Sequence, residues 1–136
     1  MVLDFSVNLV AVVVAAVVSF IIGFAWYSSA LFGTRWMALS GIDAKKRNTK
    51  PMGLLMVGAF LTAFIISYAL AIFVKSTSAT GWMGGAAVGF LAWIGFVATI
   101  MLGGQFWEDE PFALYMINAG HYLVTFVVSG ALVAAW

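Results

Sequence analysis

PMGLLMVGAFLTAFIISYALAIFV, residues 51–74, contains no charged side chain and is long enough to cross a hydrocarbon core, which needs about 20 apolar residues in a helix. Three further runs share this property: Phe5 to Thr34, Ser76 to Trp107 and Pro111 to Trp136. All six basic and five acidic residues fall outside the four runs. The pattern predicts a single domain over 1–136, an all-α transmembrane four-helix bundle with spans near 5–27, 52–74, 82–104 and 112–136.

Composition points the same way. The 136-residue chain is 65% hydrophobic and 8% charged, where a soluble domain carries about 25% charged residues. A soluble fold of this size could not hide that much apolar surface. A net charge of +1 supplies no basic field to gather nucleic acid, which is excluded as a partner. Cysteine is absent, so disulfides, thiolate metal sites and cysteine nucleophiles are excluded together.

Met1 to Asp4 carries an acid where a cleavable signal has a basic region, and the apolar run after it is too long for a signal core, so it reads as a retained first span. Between spans 1 and 2 stand Arg35, Lys45, Lys46, Arg47 and Lys50, against Lys75 alone on the other side. The positive-inside rule then puts both termini outside the cytoplasm. Lys45, Lys46 and Arg47 are also candidates to contact anionic membrane lipid, at about 1 kcal/mol per basic residue near the surface; as a bare topology signal the cluster needs no partner.

Local signals mark the boundaries. Pro51 and Pro111 stand where spans 2 and 4 begin, a position that tolerates the missing amide. Thr80 and Gly81 are expected to cap span 3. Between Ser28 and Leu39, apolar residues interleave with Ser29, Gly33, Thr34 and Arg35, which predicts a short helix in the headgroup region after span 1.

Phe64-Ile-Ile-Ser-Tyr-Ala-Leu70 in span 2 matches Phe126-Val-Val-Ser-Gly-Ala-Leu132 in span 4. Spans 1 and 3 run the same way, so the match suggests two parallel helical-hairpin repeats. Small residues recur at four-residue intervals: Ala11, Ala15, Ser19 and Gly23 in span 1; Ala59, Ala63, Ser67 and Ala71 in span 2; Gly81, Gly85 and Gly89 in span 3. Such stripes let backbones approach where lipid gives no hydrophobic drive for association.

The polar residues inside the spans carry the functional candidates: Asn8, Ser19, Thr62, Asn118, His121, Tyr122 and Thr125. His121 is the only histidine, and an ionisable group within a span is a functional candidate by default. Counted by depth, Ser19, Thr62 and His121 form one polar level, with Asn8, Ser67, Tyr68 and Ser129 a second. The two levels suit either a narrow pathway or ordinary interhelical hydrogen bonds, worth about 0.6 kcal/mol each. No acid accompanies the histidine within the spans, so a serine-histidine-acid arrangement cannot be assembled there. One imidazole does not make a metal site. Neither catalysis, nor a metal, nor a cofactor is expected.

Asn8, the run Gly23-Phe-Ala-Trp-Tyr-Ser28 followed by Phe32-Gly33 and Trp36, and Ile117-Asn-Ala-Gly-His-Tyr122 with Gly130-Ala131 and Trp136 resemble a family of small bacterial multi-pass proteins grouped as a membrane domain of unknown function. The resemblance covers essentially the whole chain and implies a four-span protein of the bacterial inner membrane, with no activity attached. The family places tyrosine before histidine in the last span, whereas this chain reads His121-Tyr122. A one-residue exchange turns a side chain by about 100° around the helix, which would move His121 off the family's interior position and shift weight to Asn8, Trp26, Tyr27 and Asn118.

Two functions fit. One is a non-catalytic helical subunit that associates with itself, as a homo-oligomer, or with other membrane proteins. The alternative is a small oligomeric channel or transporter-like protein for an ion, proton or small solute.

Overall fold

The computed structural model describes residues 2–41 and 50–136. The candidate lipid-contact residues Lys45, Lys46 and Arg47 lie outside the described residues. The fold is all-α: α1 (Leu9–Trp26), α2 (Gly33–Ser40), α3 (Met52–Ser76), α4 (Gly81–Trp107) and α5 (Phe112–Ala135). All but α2 are long and apolar enough to cross a membrane.

Helix α1 begins later than the apolar run does. Asn8 has extended backbone (φ −79°, ψ 105°), and its Oδ1 accepts hydrogen bonds from the amides of Val10 (3.0 Å) and Ala11 (3.3 Å). These are amides that a helix start leaves without partners, and Asn8 satisfies them from outside the helix. Pro51 and Pro111 occupy the same cap position before α3 and α5, at φ −58° and −57°. Thr80, by contrast, makes no side-chain cap; the chain enters α4 through Gly81 at φ +70°, which favours glycine.

The short helix α2 starts at Gly33 rather than near Ser28, because the chain first doubles back. The Phe32 amide bonds the Trp26 carbonyl (3.0 Å) and the Gly33 amide bonds that of Ser28 (2.9 Å). A Cβ on Gly33 would lie 2.7 Å from the Ser28 carbonyl oxygen, so the turn requires glycine. Thr34 and Arg35 face outward, while Trp36 returns to meet the Tyr27 ring edge-on at 5.5 Å.

Helix α5 is the hub, packing against α1, α3 and α4. Its closest neighbour is α4. A Cβ on Gly85 would lie 2.7 Å from the Gly130 carbonyl carbon, and one on Gly89 2.7 Å from that of Phe126, each nearer still to the oxygen. Backbone therefore meets backbone along this seam, where close contact replaces the hydrophobic drive that lipid removes. The other hairpin, α1 with α3, packs through side chains: Phe20 meets Phe60 edge-on at 6.5 Å. The two hairpins also meet the other helices unequally, α1 packing on α5 far more extensively than α4 on α3.

Helix α4 is not regular throughout. It passes through a π turn at Ile94–Ala98 before ending at Trp107. The Thr99 hydroxyl donates to the Gly95 carbonyl (2.7 Å) and the Tyr115 hydroxyl, from α5, to that of Ala98 (3.0 Å). Side chains thus take up backbone acceptors where the i→i+4 ladder is disturbed.

The densest packing lies in the half of the bundle nearer the termini. Val12, Ser67, Leu70 and Ser129 are all below 2% exposed there. Around the outside, Val13, Val17, Ile21 and Phe24 on α1, and Trp82, Met83, Phe90 and Leu91 on α4, are exposed. An apolar exterior around a small-residue interior is the pattern of a multi-pass membrane protein.

Candidate functional site

In the half of the bundle nearer α2, the start of α3 is uncovered: Met52, Leu54, Val57 and Leu61 are exposed, and a Cβ on Gly53 or Gly58 would meet nothing within 4 Å. The space left between α1, α3 and α5 is a cleft of about 850 Å³. Its walls are mainly apolar, with Phe20 and Phe24 from α1 and Leu55, Met56, Ala59 and Ile66 from α3. Of the small-residue stripe on α3, Ala63, Ser67 and Ala71 are buried, while Ala59 is exposed and forms cleft wall.

The cleft gathers five of the predicted site residues: Ser19, Thr62, His121, Tyr122 and Thr125. His121 is half-buried and faces α1 at Gly23, where an added Cβ would stand 3.1 Å from Nε2. The imidazole is ringed by Tyr122 (4.8 Å between centroids), Tyr27 (5.2 Å) and Trp26 (6.3 Å). Its Nε2 lies 3.5 Å from Thr125 Oγ1, the outer limit of a hydrogen bond, and Nδ1 is buried without a partner among the described residues. His121 and Tyr122, adjacent in the sequence, both line the cleft.

The remaining polar candidates are engaged. Ser19 and Ser129, both buried, share a 2.7 Å hydrogen bond across α1 and α5. This corrects the depth reading: Ser19 stands level with Ser129, and His121 stands opposite Gly23, one turn further toward α2. Counting from the ends of the spans assumes helices in register, whereas α1 sits against α5 so that Ser19 meets Ser129 and Gly23 meets His121; Asn8, the cap of α1, lies away from the cleft. Thr62 turns its hydroxyl back to the Gly58 carbonyl (2.9 Å) on its own helix. Asn118 Oδ1 accepts from the Tyr27 hydroxyl (2.8 Å), which joins it to the cleft wall.

Two indoles complete the arrangement. Trp26 Nε1 donates to the Ile117 carbonyl (3.0 Å) and Trp93 Nε1 to that of Ala119 (2.9 Å), so α1 and α4 grip α5 from either side. An indole N–H within a bilayer has no water to bond, and a neighbouring helix carbonyl supplies the acceptor. Trp93 stands mid-span in the sequence, and that placement was the available signal of a tertiary partner.

Ser67 also differs from the rest. It is fully buried, and its Oγ has no partner among the described residues. It occupies the position in α3 that Ser129 occupies in the matching segment of α5. On the terminal side of the densely packed layer a second, smaller pocket of about 220 Å³ is bordered by Asn8, Ala71, Lys75 and Trp136.

Compared with known proteins, residues 10–134 match the model of the family described as Protein of unknown function (DUF1761). No curated protein and no solved structure matches the chain.

Proposed function

The chain belongs to the DUF1761 family of proteins of unknown function, and on that premise we propose that it is a non-catalytic helical subunit that acts by associating with itself or with other membrane proteins. The observation that supports this reading is how its in-span polar groups are used. Asn8 caps a helix, Ser19 bonds Ser129, Asn118 accepts from Tyr27, and two indoles bond α5 carbonyls. Polar groups that bond α1 and α4 to α5 are unavailable to hydrate a passage, and His121 is ringed by aromatic side chains rather than by an acid that could activate it. Native mass spectrometry of the protein released from nanodiscs is the test. A homo-oligomer or a stoichiometric membrane partner is expected, and a lone monomer overturns the proposal.

One observation favours the transporter-like alternative: pockets of about 850 and 220 Å³ lie on opposite sides of the layer formed by Val12, Ser67, Leu70 and Ser129. That layer would have to open for anything to cross. Solute and proton flux into liposomes that His121→Ala abolishes would favour it over association; flux no greater than in empty liposomes excludes it.

We place the protein in the bacterial inner membrane from the resemblance its sequence carries, and, on the strength of the basic bias of the first loop, both termini outside the cytoplasm and Lys45, Lys46 and Arg47 against anionic lipid. Because the chain has no cysteine, single cysteines introduced at Lys50 and Trp136 can be labelled from one side. Labelling of Lys50→Cys from outside intact cells would reverse this orientation.

A further inference from the structure

We propose that the cleft between α1, α3 and α5 binds a neutral, lipid-soluble amphiphile, with a carbonyl or ether oxygen as its hydrogen-bonding head beside Tyr122 and His121. Its apolar skeleton would lie along Phe20, Leu55, Met56 and Ala59. The site goes beyond the association reading and does not depend on it, since the cleft is formed within one chain.

Size, charge and hydrogen bonding each narrow the occupant. A volume of about 850 Å³ lies within the range of about 300–1,000 Å³ typical of small-molecule sites. The described lining residues include no lysine, arginine, aspartate or glutamate, so an ionic head would find no counter-charge among them. The lining does include a donor in need of an acceptor. The Tyr122 hydroxyl donates to no group among the described residues, and His121 Nε2 has only the 3.5 Å contact to Thr125. An acyl chain alone would leave these groups dry and unpaired, at a cost of about 1–3 kcal/mol for such a group.

A partner's helix fits less well. Within a bilayer a helix has already bonded its own amides and carbonyls internally, so its backbone offers nothing to these groups. A ketone, ester or ether oxygen can reach them. The mouth adds adaptable wall: Met52 and Met56 are unbranched and can close around skeletons of different shape. The cleft is reached beside the exposed, apolar start of α3, a surface from which a lipid-soluble molecule can enter sideways.

The test uses the full chain in lipid nanodiscs and decylbenzophenone, a neutral diaryl ketone that inserts into neighbouring C–H bonds on irradiation. Mass spectrometry of the digested protein locates the adducts. Met83 and Met116, exposed on the outer faces of α4 and α5, report random collision from lipid. Saturable labelling at Met52 and Met56 is expected, exceeding that at Met83 and Met116 by about tenfold. A long-chain methyl ketone in excess should compete, and the alkane of matched length should not. Tyr122→Phe should weaken labelling by about two- to tenfold, the worth of one hydrogen bond. Ala59→Trp, which fills the cleft from an exposed position, should abolish it. Labelling spread evenly over Met56, Met83 and Met116, or equal competition by the alkane, overturns the proposal. The competition needs no variant, so it decides the matter even where Ala59→Trp fails to fold.

Discussion

Gly85→Ala is expected to be among the most damaging single-methyl changes the chain can suffer. The new Cβ would stand 2.7 Å from the Gly130 carbonyl carbon, against 3.4–4 Å for an ordinary contact, and the obstacle is helix backbone rather than a flexible side chain. Relief requires α4 and α5 to part by about 1 Å, and forcing bulk into a packed interface costs about 1–3 kcal/mol. The same shift stretches the bonds from Trp93 Nε1 to Ala119 and from Tyr115 to Ala98, now 2.9 and 3.0 Å, past the hydrogen-bonding limit. At about 0.6 kcal/mol for each interhelical bond, the total loss is about 2–4 kcal/mol. Gly58→Ala is the control: its Cβ meets nothing within 4 Å, and alanine favours the helix by about 0.5–1 kcal/mol. Reversible unfolding in mixed micelles, followed by circular dichroism, measures both. A Gly85→Ala protein within about 0.5 kcal/mol of the parent would refute the claim that backbone contact holds this seam.

Ser129→Ala should destabilise by about 0.6–1.7 kcal/mol in the same assay, because it strands the Ser19 hydroxyl, whereas Ser67→Ala removes a hydroxyl with no partner and should be neutral or stabilising. Equal losses at the two serines would contradict the hydrogen-bond assignment. Tyr27→Phe frees the Asn118 side chain and should cost about 0.5–1.5 kcal/mol while broadening the Asn118 amide resonances in NMR spectra; an unchanged spectrum would show that the bond is not held. At the membrane surface, the Ser6 hydroxyl and amide hold the Asp4 carboxyl below its usual value of 3.8, with Lys75 contributing attraction. A depressed carboxylate stabilises the fold above its unfolded pKa and loses that contribution as pH falls through the folded one, so the effect is confined to acid below about pH 4. Ser6→Ala should raise the Asp4 titration midpoint toward 3.8, read by carbon NMR of the carboxyl group.

The four spans were legible because charge is excluded from them without exception, and the α4 seam because Gly85 and Gly89 fall one turn apart. Asn8 before an apolar run is a familiar helix-start signal, yet it reads equally as an intramembrane polar residue until the helix start is known. The asymmetry of the bundle was not legible. Repeated segments such as Phe64–Leu70 and Phe126–Leu132 predict equivalent hairpins, but α5 became the hub and the start of α3 was left bare. Side-chain partners across helices, such as Trp26 with Ile117, depend on relative rotation of the spans, which a periodic apolar pattern hardly constrains. The cleft is a consequence of that same rotation: Ala59 belongs to a stripe whose other members are buried.

Since α5 follows the other spans in the chain, it is also the last of them to leave the ribosome. Until it arrives, the Trp26 and Trp93 indoles, the Tyr27 hydroxyl and the Ser19 hydroxyl have entered the bilayer without the acceptors they will finally use. Domains generally form from the N-terminus during synthesis, but here the early spans await their common partner. Biogenesis of this protein therefore includes an interval in which three inserted helices are held only by α1 against α3 and by the slighter packing of α4 on α3, with those polar groups still unpaired.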